Sequence, residues 1–215
     1  MDAELFPRPR AQVAPGAVHV PDWLDAAAQR DLLAACREWA RPPAGLRTVR
    51  TPGGGTMTAR QVCLGWHWYP YGYARTVVDG DGAPVKPFPA WLGALGRRAA
   101  ADALGPAAAG AAYDIALINF YDGDARMGMH RDSDEEADAP VVSLSLGDTC
   151  VFRFGNTATR TRPYTDVELR SGDLFVFGGP SRLAHHGVPR VHAGTAPREL
   201  GLTGRLNITL RVSGR

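Results

Sequence analysis

The sequence predicts an α+β protein that is mainly β: a β-sandwich or jelly-roll core (a double-stranded β-helix) braced by N-terminal helices, with an aromatic-rich hairpin or lid between them. Three observations carry that expectation. From Tyr113 onward the chain breaks into short runs, LINFY, PVVSLSLG, TCVFRFG, DLFVFGG and RLNITLRV, each bounded by Gly, Asp, Pro or Asn. That is the texture of strands joined by turns. Ahead of them, two segments repeat apolar residues at helical spacing. The last run alternates Leu206, Ile208 and Leu210 with Arg205, Asn207, Thr209 and Arg211, so one face of that strand is apolar and the other polar. Strands that follow a helical start suit stacked sheets with helices packed against them.

Taken in order, residues 1–16 are rich in Pro and Ala without periodicity and read as an irregular arm; Ala17–Val20 reads as a short strand. Leu32, Leu33, Cys36 and Trp39 then share one helical face, with Asp25 as N-cap, an end near Ala40 and Pro42–Pro43 closing the helix. Residues 46–88 crowd Trp66, Trp68, Tyr69, Tyr71 and Tyr73 among glycines, prolines and arginines. Gly and Pro disfavour a buried strand there and favour a partly exposed hairpin or lid. A second helix is expected from Pro89 to Gly105, with Trp91, Leu95 and Ala99 on one face. The expected divisions are therefore 1–45 (arm and support helix), 46–88 (lid) and 89–215 (second helix and β core), a single domain overall.

Bulk properties bound the function. With 215 residues, the chain is long enough for one compact domain with a full core. A net charge of +2 is too small to argue for nucleic acid by itself. Lys86 is the only lysine, so individual arginines must be argued by position. No apolar run reaches the length of a membrane span, and MDAELFPRPR lacks the features of a signal peptide, so the expectation is a cytoplasmic protein with no membrane role. Cys36, Cys63 and Cys150 form no CxxC and read as reduced thiols.

The chemistry begins at LINFYDGDARMGMHRDSD. In extended chain His130 and Asp132 point the same way, and an imidazole with a carboxylate is two thirds of the two-His, one-carboxylate triad that holds ferrous iron. The run DLFVFGGPSRLAHHGV supplies the rest: His186, beside Gly187, is the expected third ligand, and His185 is the alternative. Asn119 and Tyr121 share one face of their strand, as Arg205, Asn207 and Arg211 share one face of theirs. Guanidinium forks bind carboxylates in pairs, so this polar face suits a small dicarboxylate; one that also chelates iron is 2-oxoglutarate.

With these residues in view, LINFY-x5-MGMHRDSDE, SLSLG, SRLAHHGV and RLNITLR resemble the AlkB family of Fe(II)- and 2-oxoglutarate-dependent dioxygenases, in its bacterial DNA-repair form. TPGGGTM, LGW and GGPSR fall in the same order, and the resemblance runs from about Leu46 to Val212. It implies that His130, Asp132 and His186 bind Fe(II). Arg205 would pair with the distal carboxylate of 2-oxoglutarate, helped by Asn119 and Tyr121. Arg211 would lie at the metal end and Asn207 would line the pocket. It further implies that Trp66 stacks on the target base, that Tyr73 and Arg160 contact the substrate strand, and that Asp134 approaches the exocyclic amine. Thr51 and Met57 would belong to a nucleotide-recognition lid. Segment 57–66 is shorter than the bacterial pattern, which leaves Arg60 and Gln61 without an assigned role, and His185 stands where an aromatic is usual.

The implied reaction is oxidative demethylation of bases of the 1-methyladenine and 3-methylcytosine type in DNA or RNA. It consumes O2, decarboxylates 2-oxoglutarate to succinate and releases formaldehyde, with ascorbate as reductant in vitro. The methyl lies on the pairing edge, so the substrate would be a single strand or a flipped base, met by a monomer. Two alternatives remain at this stage: the same cofactors acting on tRNA or protein, and a metal-binding jelly roll without catalysis.

Overall fold

The computed structural model describes residues 6–51 and 53–215; residues 1–5 of the expected arm and Pro52 of TPGGGTM lie outside them. In chain order the first half comprises β1 (Ala11–Ala14), β2 (Ala17–Val20), α1 (Ala26–Trp39), β3 (Arg47–Arg50), β4 (Thr56–Leu64), β5 (His67–Tyr69), β6 (Gly72–Ala74) and α2 (Ala90–Leu104). The second half comprises β7 (Ile115–Tyr121), β8 (Met127–His130), β9 (Val141–Gly147), β10 (Thr149–Phe154), β11 (Thr165–Leu169), β12 (Leu174–Phe177), β13 (His186–His192) and β14 (Arg205–Arg211).

Among the described residues the strands form a major sheet of order β1-β2-β12-β9-β14-β7-β4-β3, a minor sheet β11-β10-β13-β8, and the separate hairpin β5-β6. The alternation in β14 decides how the layers stack. Leu206, Ile208 and Leu210 share a buried cluster with Leu32, Leu33 and Cys36 of α1 and Leu92, Ala99 and Ala100 of α2. Both helices therefore cover one face of the major sheet. A second cluster (Tyr121, Val141, Cys150, Phe152, Phe154, Phe175, Phe177, Val188) joins the two sheets. The polar residues of β14 face that inter-sheet space, and the site is built there.

α1 starts as its sequence predicts: Asp25 caps it by accepting from the Ala28 N–H at 2.8 Å. Three expectations need correction. The arm is not irregular throughout, because Ala11–Ala14 pairs antiparallel with β2 at the sheet edge. In α2 the buried face is Leu92, Gly93, Gly96, Ala99, Ala100 and Ala103. Trp91 is instead 49% exposed and stacks on Trp39 at 5.8 Å between ring centroids. The small residues let α2 lie close to the sheet, where a large indole has no room; a Cβ on Gly96 would come within 2.8 Å of the Tyr113 ring. Within the expected lid, β4 is an inner strand between β7 and β3, with Val62, Cys63 and Leu64 all buried. The chain leaves the sheet at Gly65, whose φ of +78° and contact with the Asp114 carbonyl exclude a side chain. Only then does the hairpin begin, with His67 and Tyr73 buried and Tyr71 exposed at its tip.

Candidate metal centre and anion pocket

Strand pairing brings the two histidines together. β13 pairs antiparallel with β8, and His186 lies directly opposite His130. Gly187 allows this approach, because a Cβ there would stand 2.8 Å from the Met127 carbonyl oxygen. Asp132 lies just past the end of β8, in the loop rather than in the strand. Its carboxylate is aimed by Arg211 of β14, Nη2 to Oδ1 at 2.6 Å, and its backbone carbonyl accepts from Arg182 Nη1 at 2.6 Å.

The donor set fits a metal. Ligand atoms of His130, Asp132 and His186 lie within 4.8 Å of one another. Both rings place Nδ1 3.0 Å from a backbone carbonyl, of Gly128 and of Ala184. A carbonyl can only accept, so Nδ1 carries the hydrogen and each Nε2 is directed inward. The two Nε2 atoms stand 3.6 Å from Asp132 Oδ1 and Oδ2, beyond hydrogen-bond range. Oδ2 is buried and has no hydrogen-bond partner. Burial holds the His186 ring well below its ordinary value, at about 4, and so neutral near pH 7. Burial acts to raise the Asp132 carboxyl, but Arg211 and the two histidines outweigh it and bring it to about 2. Two inward nitrogens beside a buried carboxylate, one oxygen of which has no partner, are what a divalent cation would satisfy.

The same cavity is lined by Asn119, Tyr121, Arg205, Asn207 and Arg211. Arg205 is 1% exposed; Nη2 donates to Ser145 Oγ at 2.9 Å and Nη1 to the Asp148 carbonyl at 3.2 Å. Its Nε has no partner, and no carboxylate pairs with it among the described residues. A buried cation without a counter-ion is costly, and an anionic ligand such as a carboxylate would supply one. Asn207 Nδ2 donates to Ser143 Oγ at 2.7 Å and its Oδ1 accepts from Thr209. Asn119 Oδ1 accepts from Gln61 Nε2 at 3.0 Å, so Gln61 supports the pocket wall from β4.

The residues expected to meet a substrate do not line this cavity. Trp66 is half-buried, with Arg75 over its ring at 3.4 Å and Nε1 donating to Asp114. Tyr73 is buried and its hydroxyl donates to Glu135. Asp134 accepts from Trp68 Nε1. Arg160 is exposed in the loop between β10 and β11, Thr51 is exposed and bonds the Gly55 carbonyl, and Met57 is half-buried on β4. Arg60 pairs with Asp122 at the surface. His185 is buried and directed away from the triad, with Nδ1 3.0 Å from the Asn156 carbonyl at the base of the loop that carries Arg160.

Sequence reasoning gave no role to Glu135 or Arg182. Glu135 Oε1 accepts from Arg211 and Oε2 from Arg182, both at 2.9 Å. Burial would raise this carboxyl, yet Arg211 draws it below the usual glutamate range. The two side chains lock the loop after Asp132 behind the metal position. Ser143 and Ser145 could have been found from the polar alternation in VVSLSLG.

A sequence profile of the 2OG-Fe(II) oxygenase superfamily matches residues 16–211. The alpha-ketoglutarate-dependent dioxygenase AlkB homolog of Caulobacter vibrioides is 38% identical over 205 residues, covering 93% of this chain and 88% of its own length. Escherichia coli AlkB is 38% identical over 176 residues, 79% of this chain and 78% of its own. The Arabidopsis thaliana DNA N(6)-methyladenine demethylase ALKBH1D is 32% identical over 221 residues and 93% of this chain, which spans 50% of that relative's length. The solved structure of OsALKBH1 superposes with a TM-score of 0.83 at 31% identity, over 95% of this chain and all of that one.

Proposed function

This chain belongs to the AlkB family of the 2OG-Fe(II) oxygenase superfamily, and on that premise we propose that it removes N-linked methyl groups from nucleobases of DNA or RNA. Its cofactors are Fe(II) and 2-oxoglutarate. The observation that carries the reading is the buried Asp132 carboxylate, one oxygen 3.6 Å from each inward imidazole nitrogen and Oδ2 without a hydrogen-bond partner, in one cavity with Arg205, which has no carboxylate partner among the described residues.

His130, Asp132 and His186 would hold the iron, and the metal with 2-oxoglutarate and O2 supplies the oxidising power. Together they would supply the chemistry that inserts one oxygen atom into a C–H bond of the methyl group, with the other oxygen atom leaving in succinate beside CO2. The N-hydroxymethyl product then releases formaldehyde and returns its proton to the base nitrogen.

The protein's share is position and charge. Arg205 would take the distal carboxylate of 2-oxoglutarate, with Asn119, Tyr121 and Asn207 shaping the wall. Arg211 fixes the Asp132 carboxylate from behind, close to the metal end of the cavity. Outside it, Trp66 would stack on the base at about 1–3 kcal/mol. Asp134 would favour a cationic base, and Arg160, with Thr51 and Met57, would guide the strand without reading its sequence. A methyl on the pairing edge requires a single strand or a flipped base.

No helix among the described residues is long and apolar enough to cross a membrane; in this reading the protein works as a cytoplasmic monomer. Incubation of a 1-methyladenine oligonucleotide with Fe(II), 2-oxoglutarate and ascorbate should lower its mass by one CH2, with stoichiometric succinate. A second reading has the same chemistry acting on N6-methyladenine, favoured by the name of the plant relative. An N6-methyladenine oligonucleotide in parallel separates the two, and no mass change in either refutes both.

A further inference from the structure

The hairpin is joined to the loop behind the metal position by one cross-strand pair. Trp68 of β5 lies opposite Tyr73 of β6, and they grip two consecutive acids. The Tyr73 hydroxyl donates to Glu135, and Trp68 Nε1 donates to Asp134 Oδ2 at 2.8 Å. The acids differ in how they are held. Both oxygens of Glu135 are engaged by Arg211 and Arg182. For Asp134, Trp68 is the one hydrogen-bond partner among the described residues, which leaves Oδ1 with lone pairs to offer.

Trp68 is itself fixed from behind. Its carbonyl accepts from Arg47 Nη2 at 2.6 Å, and Arg47 and His67 both bond Asp79, at 2.9 and 2.6 Å. Its indole packs on a small buried cluster that includes Cys63 and Leu117. The indole N–H therefore has a set direction, unlike that of a side chain on a mobile loop tip.

We propose that Trp68 is a specificity-setting residue. Its N–H ties one oxygen of Asp134 and presents the other to the exocyclic amino group of a cationic N-alkylated adenine or cytosine. This rests on the reading above, in which the chain acts on alkylated bases beside Asp134. The physics is that of a preorganised acceptor. A carboxylate fixed at one oxygen needs no reorientation to meet a donor. It also repels a neutral base such as 3-methylthymine, which carries a carbonyl on that edge. A carboxylate free to rotate and hydrate would discriminate less. Trp68 acts through Asp134 and touches no reacting atom, so it is a positioning residue.

The test compares kcat/KM for 3-methylcytosine and 3-methylthymine oligonucleotides in the wild-type protein and in Trp68→Phe, which keeps a ring on the buried cluster but lacks the donor. The ratio of the two should fall about ten-fold, as expected for loss of one hydrogen bond to a charged group. Turnover of 3-methylthymine and affinity for 2-oxoglutarate should stay within about two-fold of wild type by the same reasoning, since neither uses that bond. Asp134→Asn should lower the ratio by itself, and adding Trp68→Phe to it should lower the ratio no further. Asp134→Asn leaves the indole packing in place, so it decides the matter even where Trp68→Phe melts early. An unchanged ratio in either single variant, an equal fall on both lesions, or additive losses in the double variant overturns the proposal. A wild-type protein inactive on every alkylated base overturns the functional reading instead, and this inference with it.

Discussion

Replacing Arg205 by Met probes the anion pocket where its energetics are largest. The guanidinium is 1% exposed, donates to Ser145 and Asp148, and has an unpartnered Nε. A ligand carboxylate bonded to a desolvated guanidinium loses about 3 kcal/mol when the guanidinium is truncated, roughly a hundred-fold in affinity. Thermal melting with Mn(II), a redox-quiet substitute for Fe(II), reads this directly. At 2-oxoglutarate a hundred times above the wild-type Kd, the wild type gains about 2.7 kcal/mol, roughly 5–10 °C in Tm for a chain of this size. The variant, now at its own Kd, gains about 0.4 kcal/mol, roughly 1 °C. Without ligand the variant should melt no lower than wild type, because an unpaired buried charge has been removed. A variant that keeps the full ligand-induced shift would refute the assignment of Arg205 as the anchor.

Three further outcomes are expected. Asp132→Ala should abolish succinate formation by removing the anionic ligand, and full turnover would refute the metal site. Trp66→Ala should spare Fe(II) and 2-oxoglutarate binding but weaken binding of a methylated strand by about 1–3 kcal/mol; unchanged affinity in a fluorescence-anisotropy titration counts against stacking. The third outcome concerns pH. Burial would raise the Asp173 carboxyl, but His19, Arg8 and the Arg170 and Asp22 N–H groups bring it down to about 2. A carboxyl that titrates lower folded than unfolded contributes stability that is full above about pH 4 and lost as pH falls through about 2, here about 2 kcal/mol. Urea midpoints measured across that window should flatten in Asp173→Asn, and an unaltered slope would contradict the account.

What the sequence made legible was periodic or local. The two-residue alternation in β14 and β7 placed Arg205, Asn207, Arg211, Asn119 and Tyr121 around one cavity before any fold was known. The short spacing of His130 and Asp132 pointed to a metal, although Asp132 owes its aim to Arg211 rather than to a strand. The weak strands were missed for stated reasons. β11 (TDVEL) is largely polar, β13 (HGVPRVH) carries Gly and Pro, and β1 gains its form only by pairing with β2. Partners far apart in sequence left no local trace: Arg182 with Glu135, Gln61 with Asn119, Trp68 with Asp134. Aromatic crowding in 66–73 identified the hairpin but could not separate Trp66, stacked on Arg75, from Trp68, bonded to Asp134.

The central claim is that three side chains share one ferrous ion and leave room for a chelating 2-oxo acid. Anaerobic absorption spectra with one equivalent of Fe(II), recorded before and after 2-oxoglutarate is added, test it most directly. A visible charge-transfer band should appear only when both are present, vanish in His130→Ala, Asp132→Ala and His186→Ala, and survive in His185→Ala. A wild-type protein that never develops the band, or a His186→Ala protein that keeps it, would contradict the account.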